Sequence, residues 1–356
     1  MLKRFSISLF LGANLCTIVL MWLCVALTFV SPDIIPRLSL LTLAFPVFLA
    51  VDLLFVIFWL LFKARLVWVP IAGALLIGGY ILDYCPIHFG SSPDSPPDST
   101  LTIIAYNVGS VTKDEQTDEL ISFLDAENAD IVCLQEICKS VLTKAKTKAW
   151  LDSIGYHTLQ NSNIAVLSKL PFLSDTIHID YPTRSNRCFA CWVDYKGDSL
   201  LLVNNHLESN HLSPEEKDEY ASTIIDPNRE AIKSSSRKLM GKLSEAASYR
   251  GIQADSICAL IRRNARHSVI ACGDFNETPV SYVYQRFAKC LTSAYREAGN
   301  GPGFTYTRRS FPVHIDHLFF SDDWQCTSCH IDRTVSSSDH YPLIVRLSKK
   351  ERQTPL

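Results

Sequence analysis

Apolar residues run almost without interruption over 5–30 and 38–62, and again over a shorter stretch, 66–82. About 20 residues rising about 1.5 Å each cross the hydrocarbon layer of a bilayer, so the pattern predicts transmembrane helices, the last near the lower length limit. A bundle of three such helices over 1–89 is expected. The first run is too long for the apolar region of a signal peptide, about 7–15 residues, and no small-x-small cleavage site follows it. Asp52 falls in the middle of the second helix, where it needs a partner such as Asn14 or a Thr or Ser on a neighbouring helix. Residues 90–100, Gly-Ser-Ser-Pro-Asp-Ser-Pro-Pro-Asp-Ser-Thr, are a linker by composition.

Beyond the linker the period changes. Short apolar runs at 101–108, 131–135, 164–168, 188–195, 199–205, 268–272, 313–320 and 341–347 read as strands. Polar stretches at 114–127, 139–154, 228–263 and 280–288 read as helices between them. Several strands are apolar on both faces, which a sheet buried between layers requires. Two facing sheets with helices outside follow, one α/β domain over 101–350.

Composition sharpens this split. The chain is 47% hydrophobic and 20% charged with mean hydropathy +0.11. Residues 1–90 hold five basic and three acidic residues, leaving 29 basic and 33 acidic beyond them, a net charge of −4. A soluble single-domain protein, a disordered chain and a domain drawn onto nucleic acid by overall charge are excluded. Lys3, Arg4, Lys63 and Arg65 lie on one side of the expected bundle and Arg37 on the other. The positive-inside bias therefore places the N-terminus inside the cell (inner) membrane and 91–356 on its extracytoplasmic side.

Nine of the twelve cysteines fall in the second part. The pairs Cys188/Cys191 and Cys326/Cys329 have the spacing of a zinc site, but both lie in strand-like sequence. Positions i and i+3 of a strand point to opposite faces, so neither pair is expected to chelate one ion.

Polar residues recur where the apolar runs stop: Asn107, Glu136, His206, Asp274 with Asn276, Asp316, and Asp339 with His340. Each alone reads as a turn former or a satisfied surface group; together at strand ends they suggest a site. Asn107, Glu136 and Asp339 form a potential hard-metal set, and oxygen donors favour Mg²⁺ or Mn²⁺ over zinc.

The chain resembles the endonuclease/exonuclease/phosphatase superfamily of metal-dependent phosphoesterases. The resemblance rests, in family order, on Tyr-Asn-Val at 106–108, Leu-Gln-Glu at 134–136, Ile-Ala-Val-Leu-Ser-Lys-Leu-Pro at 164–171 and Asn-His-Leu at 205–207. Gly-Asp-Phe-Asn at 273–276, Ile-Asp-His at 315–317 and Ser-Asp-His-Tyr-Pro at 338–342 complete it. It implies a four-layered α/β/β/α sandwich of two packed mixed sheets. It also implies Glu136 as principal metal ligand, with Asn107 and Asp339 beside it. Asp274 and Asn276 would activate water and hold a phosphate oxygen, and His340, oriented by Asp316, would bind or protonate the phosphate. His206 stands where nuclease-like and sphingomyelinase-like members carry a histidine and abasic-site endonucleases a tyrosine. Asn163 and His314 depart from the family pattern at positions that bear on packing and substrate.

The expected function is membrane-anchored, divalent-metal-dependent phosphodiester hydrolysis of the nuclease type. The alternative is a lipid or small-molecule phosphoesterase at the membrane surface, so nucleic acid and phospholipid head group both stand as substrates. A non-catalytic scaffold is disfavoured, because Glu136, Asp274, Asp316, Asp339 and His340 are all present. The long segment 208–263, with Lys233, Arg237, Lys238 and Lys242, reads as a solvated helix face or as a lid beside the cleft.

Overall fold

A computed structural model of the chain describes residues 2–88, 100–109, 111, 113–184, 186–213, 215–216, 229–308 and 311–350. The expected linker therefore lies outside the described residues up to Thr100, as do 217–228 of the expected lid. Helix Leu2–Leu27 packs on Phe45–Phe62, and the spans Phe5–Leu27 and Pro36–Phe62 are long and apolar enough to cross a membrane. Asn14 Nδ2 donates to Asp52 Oδ1 at 3.0 Å, and Trp59 Nε1 donates to Asn14 Oδ1 at 3.1 Å, so the carboxyl group of this apolar helix is satisfied by its neighbours.

The third apolar stretch forms a bent pair of helices. The chain forms Trp68–Leu75 and Gly78–Tyr84, with a 72° bend between the helical segments on either side of the break. Gly78 and Gly79 at the break weaken helical continuation. The second piece is fastened to the following domain instead, because Asp83 pairs with Arg296 and accepts from Gln285 Nε2 at 2.9 Å. Met21, Val25, Phe45 and Ile77 pack around Val280 at the same junction.

The domain contains strands β1 (Thr100–Asn107), β2 (Ile131–Gln135), β3 (His157–Asn161), β4 (Ile164–Ser168), β5 (Ile177–His178), β6 (Phe189–Tyr195) and β7 (Asp198–His206). It continues with β8 (Ser268–Asp274), β9 (Thr292–Ser293), β10 (Tyr306–Arg308), β11 (Phe311–Val313), β12 (Asp316–Phe320), β13 (Trp324–Ile331) and β14 (Leu343–Lys349). One six-stranded sheet runs β13-β14-β1-β2-β4-β3 and the other β5-β6-β7-β8-β12-β9, with β10-β11 a separate ribbon. Both sheets are mixed: β1 and β2 pair in parallel, as do β7 and β8, while the other pairings are antiparallel.

Alternation along the buried strands builds the layers. Leu202 and Cys272 point between the sheets, whereas Leu201 and Val269 point outward to Ile257 and Phe287 on helices Arg229–Arg263 and Tyr282–Ala288. In the first sheet Ile103 and Cys133 face inward, and Ile104 and Leu134 pack on Leu120 and Leu151 of helices Asp114–Glu127 and Ala145–Ile154. The result is the four-layered α/β/β/α sandwich.

Two local expectations change. The helix over 139–154 is two, Lys139–Thr143 and Ala145–Ile154, because Lys144 adopts ψ 140° between them. Cys188 and Cys191 do face different layers, but Cys326 and Cys329 both enter the core between the sheets. A bulge in β13 between Cys326 and Ser328 adds the residue that restores the face. All twelve cysteines are free thiols.

Candidate active site

Strand register assembles residues far apart in sequence at one edge of the sandwich. Asn107 ends β1 opposite Gln135, which ends β2 immediately before Glu136. In the facing sheet His206 ends β7 opposite Asp274, which ends β8. Asp316 opens the antiparallel β12 and pairs with Asp274 from the other side. The sheets are joined at this edge by Asn107, whose Nδ2 donates to Asp274 Oδ2 at 3.0 Å and to Glu136 Oε1 at 3.2 Å.

The backbone is shaped to hold these groups. Glu136 has φ +56°, a left-handed conformation that costs a non-glycine residue of order 1–3 kcal/mol, and the next amide, Ile137 N–H, donates to Asn163 O at 2.9 Å. Gly273, at φ +124°, sits where a Cβ would lie 2.1 Å from Asn205 O, so a side chain cannot be accommodated beside Asp274. Asn276, at φ +52°, belongs to a residue type that tolerates this region. Its N–H donates to Asp274 Oδ1 at 2.8 Å and its Nδ2 to Leu207 O at 3.1 Å.

The histidines differ in their surroundings. His340 Nδ1 lies 2.9 Å from Asp316 Oδ2, and its Nε2 lies 3.8 Å from Asp274 Oδ2. Burial alone would lower its pKa, but the charges of Asp316 and Asp274 outweigh burial and raise it to about 10. Burial pushes Asp316 up to about 6 against the pull of the imidazolium, so the two form an ion pair at neutral pH. Tyr306 closes over His340, ring centroids 4.9 Å apart. His206 is buried, its Nε2 lies 3.7 Å from both Glu136 Oε1 and Asp274 Oδ2, and neither ring nitrogen has a hydrogen-bond partner among the described residues. Burial lowers its pKa despite these carboxylates.

Of the expected site residues, Asn107, Glu136, His206, Asp274, Asp316 and His340 are thus brought together, and Asn276 joins them through Asp274. Asp339 precedes His340 and its charge acts on that ring, while its carbonyl accepts from Thr307 N–H at 3.0 Å. Asp274, Asp316 and His340 offer ligand atoms within 4.8 Å of one another. A protonated imidazole has no lone pair for a cation, so that trio reads as a proton donor with its counter-charges. Glu136 and Asp274, bridged by the Asn107 Nδ2 amide, set carboxylate oxygens beside the unpartnered ring of His206, with Asp274 shared between the two groups. Hard oxygen donors fit a divalent Mg²⁺ or Mn²⁺.

Three supporting residues escape a sequence reading. Thr305 Oγ1 accepts from Asp316 N–H at 3.1 Å; Asn186 Nδ2 donates to Leu207 O at 2.7 Å, the carbonyl that also holds Asn276. Ser338 Oγ donates to Asn107 O at 2.8 Å and accepts from His340 N–H at 3.1 Å. Ser338 at least sits inside a quoted motif, whereas Thr305 and Asn186 carry no local signal.

The Endonuclease/Exonuclease/phosphatase family model matches residues 104–340, and a family described as a domain of unknown function matches 7–84. The human Nocturnin catalytic domain with bound sulfate anion is similar at 18% identity and TM-score 0.52, covering 70% of this chain and 95% of that one. An endonuclease/exonuclease/phosphatase from Beutenbergia cavernae DSM 12333 is similar at 16% identity and TM-score 0.51, covering 70% and 72%. ANGEL2, a 2',3'-cyclic phosphatase, in complex with adenosine-2',3'-vanadate is similar at 14% identity and TM-score 0.51, covering 74% and 100%. These likenesses establish a shared fold. No curated protein sequence matches significantly.

Proposed function

Because the chain belongs to the endonuclease/exonuclease/phosphatase family, we propose that it is a membrane-anchored, divalent-metal-dependent phosphoesterase that hydrolyses a phosphodiester by in-line attack of water. The observation that carries this reading is the convergence of Asn107, Glu136, His206 and Asp274 with the Asp316–His340 ion pair at one sheet edge. In this reading 1–89 is the anchor and 101–350 the catalytic domain on the extracytoplasmic side of the inner membrane.

Glu136, with Asn107 and Asp339 near it, would hold Mg²⁺ or Mn²⁺. When bound, the cation neutralises charge on the phosphoryl oxygens and favours attack at phosphorus. Asp274 is oriented by Asn276 N–H and Asn107 Nδ2 and takes the proton of the attacking water. Asn276 holds a non-bridging oxygen, and His206 offers a ring nitrogen to the same group. His340, its Nδ1 engaged by Asp316, presents Nε2–H to the phosphoryl or leaving oxygen and supplies the proton the leaving group needs. One P–O bond breaks and one forms, giving a phosphomonoester and an alcohol.

The net charge of −4 beyond residue 90 provides no general attraction for nucleic acid, so a substrate at the membrane surface is the reading we favour. The test is a panel of phosphoesters, plasmid DNA and phospholipids included, offered to the full chain in detergent. EDTA should abolish turnover and Mg²⁺ restore it. Glu136→Gln and His340→Ala should each lower it by about 10²–10⁴-fold with the fold intact, and unchanged turnover in both refutes the site assignment.

A further inference from the structure

A cavity of about 860 Å³ lies away from the catalytic edge, where the loop between the first two spans meets the long helix Arg229–Arg263. Ile35, Arg37 and Leu38 form one wall, and Glu245, Tyr249 and Ile252 the other. Its size lies within the range of about 300–1,000 Å³ of small-molecule sites. The loop is pressed on the helix at Gly251, where a Cβ would come within 2.9 Å of Pro32 Cδ.

Among the described residues lining the cavity, the charges leave one cation available. Glu245 is paired with Arg184, which also lies over the Tyr249 ring at 5.9 Å. Arg37 is exposed and has no hydrogen-bond or ion-pair partner among the described residues. The surroundings are apolar and uncovered: Ile34 is 70% exposed and Leu38 48%. Residues 35–38 stand where the candidate span Pro36–Phe62 begins, which in the membrane-anchored reading would set them where head groups give way to acyl chains. The helical wall continues beyond the cavity. Arg237 and Met240, both exposed, precede Ser244 by seven and four residues and share its face.

We propose that this groove binds one anionic phospholipid of the membrane, its phosphate at Arg37 and its acyl chains along Ile35, Leu38 and Ile252. The inference rests on the membrane-anchored reading above. A charged head group meets the unpaired guanidinium, and the exposed apolar walls receive the chains that water cannot solvate. Binding there braces the long helix, from which Gln253 Oε1 accepts the Glu208 N–H at 2.9 Å, two residues beyond His206. The lipid thus lies on a structural path to the catalytic edge.

Native mass spectrometry of the full chain, released from nanodiscs of phosphatidylglycerol, phosphatidylcholine or their mixture, reads the retained lipid directly. Wild type should retain one phosphatidylglycerol in preference to phosphatidylcholine. Arg37→Glu should reduce that retention by about tenfold, and Ile252→Trp, which fills the groove, should reduce retention of either lipid. Unaltered melting midpoints identify both variants as folded. The proposal is overturned by equal retention of the two lipids, by retention indifferent to both variants, or by displacement with inorganic phosphate. It is also overturned by a dimer mass that the groove variants return to monomer, which assigns the surface to a second copy. Extraction of the chain from membranes by salt without detergent removes the anchored reading itself, whereas a detergent-requiring chain without bound lipid removes only the lipid site.

Discussion

His340 and His206 face the same carboxylate, Asp274, from 3.8 and 3.7 Å, yet their ring pKa values move in opposite directions. The difference is Asp316, which hydrogen-bonds His340 Nδ1 at 2.9 Å, whereas the second carboxylate beside His206, that of Glu136, stands 3.7 Å away and makes no hydrogen bond to the ring. The proton on His340 is therefore kept through neutral pH and lost only as pH rises toward about 10. Asp316→Asn removes that charge, so the imidazolium should release its proton at lower pH and the alkaline limb of the kcat/KM profile should move down; an unmoved limb would exclude His340 as the acid. Gly273 makes a second residue-scale prediction. Gly273→Ala forces a Cβ against Asn205 O and keeps a positive φ, so it should cost at least about 1–3 kcal/mol in denaturant unfolding. Acids at strand ends were legible because a polar group abruptly ends an apolar run. Thr305 was not, since its hydrogen bond to Asp316 N–H links positions that only the folded chain brings together.

Elements were legible where one period persisted and illegible where a neighbour broke it. The buried runs that became β2, β4 and β8 have no alternative to a sheet interior. β3, an edge strand with His157 and Thr158 exposed, has no apolar run to announce it. The third apolar stretch predicts a helix near the lower length limit, but hydropathy, which counts residues without seeing partners, does not reveal its break. Its Asp83 is instead drawn to Arg296 and Gln285 across more than 200 residues of sequence, and this turns the helix onto the domain. Asp83→Ala should strip both partners and lower the stability of the full chain in detergent by about 1–2 kcal/mol, read as a reduced melting temperature. The same substitution should leave EDTA-sensitive hydrolysis at low temperature intact, because the catalytic edge makes no contact with Asp83 among the described residues.

The N-terminal helices meet the domain at several points, among them the loop at Ser31–Pro32 against Gly251, Val280 packed among Met21, Val25 and Phe45, and the segment from Asp83 to His88 against Arg296 and Gly299–Gly301. The loop at Lys63–Arg65 lies beyond the other end of the 18-residue helix Phe45–Phe62, about 27 Å away at 1.5 Å per residue. Domain contacts at one end of these helices and the Lys63–Arg65 loop at the other is the arrangement that an odd number of crossings would produce, with the bent pair as the last of them. In the membrane-anchored reading Lys63 and Arg65 would share a side with Lys3 and Arg4, and such clustering of positive charge selects the cytoplasmic side during insertion. The domain should therefore be digested by protease added to spheroplasts, while Ala64→Cys should add reactivity toward a membrane-impermeant maleimide, above that of the wild-type chain, only after lysis. Protection of the domain with labelling of Ala64→Cys in intact spheroplasts would invert the orientation, and with it the compartment from which a substrate reaches His340 and Glu136.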